Sequence, residues 1–265
     1  LNEAAVWQRA LIMAAGAFMN FLLGFVVMVI LIAAQSEPIT SRVIYAIDDG
    51  ALCGQTGLEA GDKVLAVNGR RCFVANDMLY ELMRTEDYSA RFTVLRGGEK
   101  VELPCVRFDT WQDDSGETHM SLGFTVYGIR KTPANVVKEA WNSVLYYGRI
   151  IFTSLMDLLR GRESINDLSG PVGIVTAIGQ AASYGWQDLL QLLVLITVNL
   201  GIFNLLPFPA LDGGKVVFLL IEGVTGHAVP EKIQSGLTLA AFALLFGLML
   251  FATYNDILRL ITGAV

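Results

Sequence analysis

A single carboxylate, Asp212, stands where chemistry is easiest to suspect. It follows two closely spaced prolines in the run Asn204-Leu205-Leu206-Pro207-Phe208-Pro209-Ala210-Leu211-Asp212-Gly213-Gly214-Lys215. An ionised carboxylate near hydrocarbon costs about 2.5 to 3.5 kcal/mol on insertion scales, so it needs a metal, a cation or a cluster of backbone amides. The alternative is that Asp212 N-caps a helix starting near Gly213, where its charge suits the free amides. Asn199 and Asn204, five residues apart just upstream, either hydrogen-bond extended backbone or link helices. The two histidines, His119 and His227, are far apart in sequence, and His119 beside an Asp-Ser-Gly turn reads as a solvated loop residue, because metal binding needs converging ligands. Cys53, Cys72 and Cys105 cannot all pair within one chain, so no disulfide framework is implied.

The elements that must hold this carboxylate are apolar. In 265 residues 54% are hydrophobic and 17% charged, and the mean hydropathy is +0.52, a composition unlike that of an ordinary soluble domain. No charge falls between Ala10 and Ala34, and 25 residues of helix reach roughly 37 Å, enough to cross a hydrocarbon core. Ile233 to Asn255 is a second uncharged stretch, and Leu189 to Leu206 a third that runs into the Pro-x-Pro break. Lipid cannot satisfy the carbonyls that Pro207 and Pro209 leave open, so the break must face protein or a wet cavity. Three crossings place the chain ends on opposite sides. Arg9, Lys215 and Lys232 then share one side, which the positive-inside rule makes cytoplasmic.

The charges gather elsewhere. Residues 37 to 167 carry 19 of the 25 acidic and 15 of the 19 basic side chains, an extracytoplasmic polar domain between spans on this topology. With a net charge of −6 and no basic run, nucleic acid is excluded as a partner. Period-two alternation marks strands at RVIYAI, KVLAVNG and ARFTVLR-GGEK-VELPCVRF, with a short helix from Ala75 to Arg84. Gly57-Leu58-Glu59-Ala60-Gly61-Asp62-Lys63-Val64-Leu65-Ala66-Val67-Asn68-Gly69 resembles the PDZ signature G-L-x-x-G-D-x-I-x-x-I-N-G, so residues 41–108 are expected to form a PDZ-like module that folds by itself. Asp62 should bond amides within its turn. Leu122-Gly123-Phe124 comes after the expected module and reads as part of a linker strand. Val137, Trp141, Val144, Gly148, Ile151, Leu155 and Leu158 then recur at steps of three and four, an amphipathic helix on the membrane surface or against the spans, or a partner-binding coiled coil. The divisions expected are 1–36, a membrane helix; 41–108, the module; 109–185, linker strand, amphipathic helix and a Gly-Pro-Val-Gly-Ile segment; and 186–265, two membrane helices.

Several separated stretches together resemble one family, the site-2 proteases, which are intramembrane zinc metalloproteases, and most closely the bacterial members with an extracytoplasmic PDZ domain. Gly16-Ala17-Phe18-Met19-Asn20-Phe21 looks like the family's G-x-x-x-N-F motif, and Asn204 to Gly213 like N-x-x-P-x-P-x-L-D-G. Gly170-Pro171-Val172-Gly173-Ile174 and Thr253-Tyr254-Asn255-Asp256-Ile257 are also similar to family segments. The resemblance implies an α-helical integral membrane protein with an inserted α+β domain, in the bacterial cytoplasmic (inner) membrane, and zinc as cofactor. It implies Asp212 as the third protein ligand of zinc, with Asn20, Asn199 and Asn204 bordering the substrate. Gly16, Pro207, Pro209 and Gly213 are the glycines and prolines of these two motifs.

The family's first span carries H-E-x-x-H, two zinc ligands and the general base, and these 265 residues contain no such motif. The plainest expectation is a fragment lacking that span, inactive alone, and a naturally inactive relative is the rival. The implied partners are a transmembrane protein substrate such as an anti-sigma factor, a peptide or protein tail at the PDZ-like domain, and membrane lipid. Two other readings are a membrane-tethered PDZ protein that binds tails without cutting, and part of a transporter, since broken helices also mark those.

Overall fold

A computed structural model describes residues 6–85, 87–114, 116–162, 164 and 168–262. Ser115 of the expected Asp-Ser-Gly turn, and residues 1–5, 86, 163, 165–167 and 263–265 of the expected divisions, lie outside them. The chain divides into a helical unit, residues 1–31 and 147–265, and a β-rich unit, residues 32–146.

Among the described residues three helices are long and apolar enough to cross a membrane. They are α1 (Val6–Ala34), α6 (Trp186–Leu205) and α8 (Glu231–Thr262), each containing or nearly coinciding with an expected span. The helical unit also holds α5 (Pro171–Tyr184) and α7 (Asp212–Thr225). Helix α5 starts at Pro171, whose missing amide costs nothing at a first helical position. Its cap position, Gly170, has no side chain to offer the free amides. Asp256 of α8 replaces it, its buried Oδ2 accepting the Gly173 amide at 2.7 Å. A β-carbon at Gly170 would stand 2.8 Å from Thr253 N and 2.9 Å from Asp256 Oδ2. The glycine is therefore demanded by the close approach of α5 to α8.

The β-rich unit is an antiparallel sheet in the order β5 (Glu99–Arg107), β4 (Ser89–Arg96), β2 (Lys63–Val67), β1 (Ile39–Ile47), β8 (Phe124–Ile129), with β3 (Arg70–Arg71) paired to β2. Short α2 (Leu52–Gln55) and α3 (Ala75–Met83) cover it. A separate two-stranded ribbon pairs β6 (Asp109–Gln112) with β7 (Thr118–Ser121). Ile44, Leu58, Val64, Val67, Met78, Leu82, Phe92, Val94 and Val106 fill the core almost without exposure. The β4–β5 hairpin turns at Gly97 and Gly98, both with positive φ, as a two-residue turn between twisted strands requires.

Asp62, fully buried, accepts the Glu59 amide at 3.0 Å, the turn bond expected of it. It also receives Arg96 as a fork, Nε to Oδ1 and Nη2 to Oδ2, both at 2.7 Å. That pairing neutralises a buried charge, and the sequence offered no sign of it.

Two expectations change. The sheet does not end at Phe108: β8 pairs with β1 from Ile39↔Ile129 to Ile47↔Phe124, and Phe108 and Phe124 belong to the core. Leu122-Gly123-Phe124 thus enters the sheet and is no linker. Helix α4 (Pro133–Leu159) forms where the apolar periodicity placed it, but Val136, Ala140, Val144, Tyr147 and Ile151 are its buried stripe. Val137 is half exposed and Trp141 more than half. Val144 and Ile151 belong to the expected set and to the buried stripe alike, while Val136, Ala140 and Tyr147 are buried in place of their neighbours Val137, Trp141 and Gly148.

Candidate functional site

The site forms where α6 ends. After Leu205 the chain turns extended at Leu206 (φ −62°, ψ 141°), passes Pro207-Phe208-Pro209 in tight turns, and enters α7 at Asp212. Phe208 N donates to Leu206 O at 2.7 Å and Leu211 N to Phe208 O at 2.9 Å. The Pro209 carbonyl, stranded by the break, accepts Thr238 Oγ1 of α8 at 3.2 Å. This is how irregular backbone survives at a membrane helix end: protein supplies the partners that lipid lacks. Gly213 and Gly214 are buried, and a β-carbon on either would overlap backbone, Leu206 O and Leu205 O for Gly213, Phe208 O for Gly214. The Asp-Gly-Gly run lets the first turn of α7 fold back onto the break.

Asp212 does not cap α7. The cap position is Leu211, and no side chain there bonds the free amides. The carboxylate lies in the first helical turn, where the dipole favours an anion, with its side chain 40% exposed and Lys215 Nζ 3.4 Å from Oδ1. A β-carbon on Gly16 of α1 would stand 3.8 Å from Asp212 Oδ2, so the glycine side of α1 faces the carboxylate.

Helix α1 meets α6 through two further glycines. The β-carbon position of Gly24 lies 3.0 Å from Thr197 Oγ1 and 3.1 Å from Val198 Cγ2, and that of Gly201 lies 3.0 Å from the Phe21 ring. As residue numbers fall along α1 their partners rise, so the helices run antiparallel. Asn20, four residues beyond Gly16 and so on the same face, falls at the level between the Phe21–Gly201 contact and Asp212. Asn204 lies seven residues beyond Thr197, on the same stripe of α6. Gly16, Asn20, Asn204, the Pro-x-Pro break and Asp212 therefore gather at one end of the α1–α6 pair.

Asn199 stands apart. Five residues on a helix turn about 140°, so it points away from Asn204. It lines a mainly apolar cavity of about 640 Å³ together with Ile151, Leu155, Ile174, Phe203 and Leu248. Sequence reasoning missed what Gly24, Gly201 and Asp256 do. Only the small-residue spacing of the glycines could have signalled a close helix contact.

As a test of fit for a metal, Asp212 offers an anionic oxygen at a half-open position whose recorded cation, Lys215, is at the limit of a hydrogen bond. Within the helical unit no histidine is beside it among the described residues: His227 follows the far end of α7. The helical unit thus offers one carboxylate there, a donor that would fit one corner of a mixed nitrogen and oxygen set.

A polytopic helical membrane protein with a carboxylate set at the broken end of a span is the class that fold and site define. The profile of peptidase family M50 matches residues 1–248, and the chain belongs to that family. It is 34% identical over 251 residues to the zinc metalloprotease RasP of Geobacillus kaustophilus, covering 94% of this chain and 59% of that protein. It is 31% identical over 255 residues to the regulator of sigma-W protease RasP of Bacillus subtilis, covering 96% and 60%. The RasP of Bacillus licheniformis is 32% identical over 260 residues, covering 98% and 61%. The chain spans about three fifths of the length of these relatives.

Proposed function

We propose that this chain is part of an intramembrane zinc metalloprotease that hydrolyses peptide bonds within transmembrane segments of other proteins. The observation that carries the reading is the placement of Asp212: a carboxylate not used as a cap, facing Gly16 at the Pro-x-Pro break. Asp212 supplies one zinc oxygen, and the histidines and general base are those of the family's H-E-x-x-H span, which is not among these residues. Zinc, when bound, acidifies a water and polarises the scissile carbonyl. Asn20 and Asn204, at the same end of the α1–α6 pair, hold an unwound substrate strand through their amides. Asn199 contacts the substrate's apolar flank from the neighbouring cavity, and the break at Pro207 and Pro209 leaves extended backbone beside it.

The β-rich unit is an extracytoplasmic PDZ-like domain that receives a peptide or protein tail, flanked by membrane divisions at 1–36 and 186–265. Strand β8 supports this: it is a sheet edge, and it starts at the Leu122-Gly123-Phe124 turn. An added strand needs such an edge. The bacterial cytoplasmic membrane is the location, and the name of the Bacillus subtilis relative, regulator of sigma-W protease, supports an anti-sigma factor as substrate.

The test joins the chain to the H-E-x-x-H span of that relative and follows cleavage of a model transmembrane substrate. Asp212→Asn keeps the volume and removes the anionic oxygen zinc prefers. Cleavage should be abolished and bound zinc reduced, with thermal stability little changed. Retained proteolysis with normal metal content would falsify the ligand role.

A further inference from the structure

We infer that the β6–β7 ribbon carries a second divalent-cation site, independent of Asp212, formed by Asp113, Glu117 and His119. Trp111 and His119 are directly opposed in the ribbon register. Two residues closer to the turn on each strand, the Asp113 amide donates to Glu117 O at 3.0 Å, which places Asp113 opposite Glu117. Side chains two apart on a strand share a face. Trp111, Asp113, Glu117 and His119 therefore all emerge from the same side.

The ligand atoms of the last three lie within 4.8 Å of one another, and no other such group of three is found among the described residues. Two carboxylates directly opposed on one face repel, and a cation between them relieves the repulsion. His119 Nε2 is 3.1 Å from Asp113 Oδ2. Two ligands bound about 2.0 to 2.2 Å from one tetrahedral zinc lie about 3.3 to 3.6 Å apart. An ion can thus replace the proton shared by this pair with movement of a few tenths of an ångström.

One imidazole and two carboxylates leave a position for water, and this donor set suits a divalent cation of the zinc type better than calcium. The sequence hid the site because its ligands are carboxylates across a turn and not a second histidine. The ribbon connects to β8 through Leu122 and Gly123 alone. A cation that pins β6 to β7 thereby restrains the strand at the sheet edge.

The full chain in detergent micelles, stripped with a chelator, is titrated with zinc chloride by calorimetry. A binding event is expected that weakens at least tenfold in His119→Ala and in the near-isosteric Asp113→Asn/Glu117→Gln double variant. Trp111 stacks on His119 with ring centroids 4.8 Å apart, so zinc should change the tryptophan emission of the native chain and not that of Trp111→Phe. Circular dichroism checks that each variant is folded. Zinc binding undiminished in the double variant, or lost only in Asp212→Asn, overturns the site. The second outcome would leave the intramembrane reading standing, and the two proposals fail separately.

Discussion

Gly170 and Asp256 show how two unremarkable residues can be bound to each other. A helix N-terminus with glycine at its cap has no acceptor of its own, and Asp256 reaches across from α8 to provide one. Because the neighbours of a β-carbon at Gly170 include the Thr253 amide nitrogen and the Ala252 carbonyl carbon, backbone and not a movable side-chain tip would have to give way. Gly170→Ala should therefore cost about 1 to 3 kcal/mol of stability, the range for overpacking. Asp256→Ala should cost about 0.5 to 2 kcal/mol as a lost cap, while Asp256→Asn keeps an acceptor and should cost less. Thermal unfolding in detergent, followed by helical circular dichroism, measures all three. Equal stability of Gly170→Ala and the native chain would mean that α5 is not held against α8. At Asp212 the type and its place after Pro-x-Pro were visible in the sequence, but the choice between a cap and a carboxylate inside the first helical turn was not. That choice depends on which residue takes the extended cap conformation, and it is Leu211, with φ −108° and ψ 167°.

Among the elements, the β-rich unit is where local pattern and tertiary pairing part company. Strands β1, β2, β4 and β5 follow from alternation, and α3 from its apolar spacing. Strand β8 has alternation as well, but a ribbon separates it from β5, and only pairing with β1 makes it part of the sheet. A fragment of residues 36–130 should give a dispersed amide spectrum. One of residues 36–108 should not, because it strips β1 of its long-paired neighbour and removes Phe124 from the core, where losing a buried phenyl ring costs about 3 to 5 kcal/mol. A well-folded shorter fragment would show that β8 is an accessory strand. In α4 the helix and the buried Val144 and Ile151 were legible, and the remaining buried positions were displaced by one residue, since periodicity fixes a stripe only to within the width of one side chain.

For the whole molecule, the antiparallel run of α1 and α6 and the ion pair of Arg9 with Glu222 put the start of α1 near α7. Arg9 and Lys215 thus lie at the same end of the helical unit, the end that the topology proposed from loop charge makes cytoplasmic. An alkaline phosphatase fusion near Gly116 should be active and one near Gly226 inactive; the reverse pattern would invert the assignment. The sequence alone determined the three apolar spans and marked the polar stretch between them and the candidate residues to look for, because length, hydropathy and motif spacing are local properties. Tertiary structure decided that Gly16, Asn20, Asn204 and Asp212 gather while Asn199 turns to another cavity, that Asp62 is neutralised by Arg96, and that Asp256 caps a helix 83 residues before it. Each of these depends on which faces of distant elements meet, and packing geometry, not the order of residues along one element, settles that.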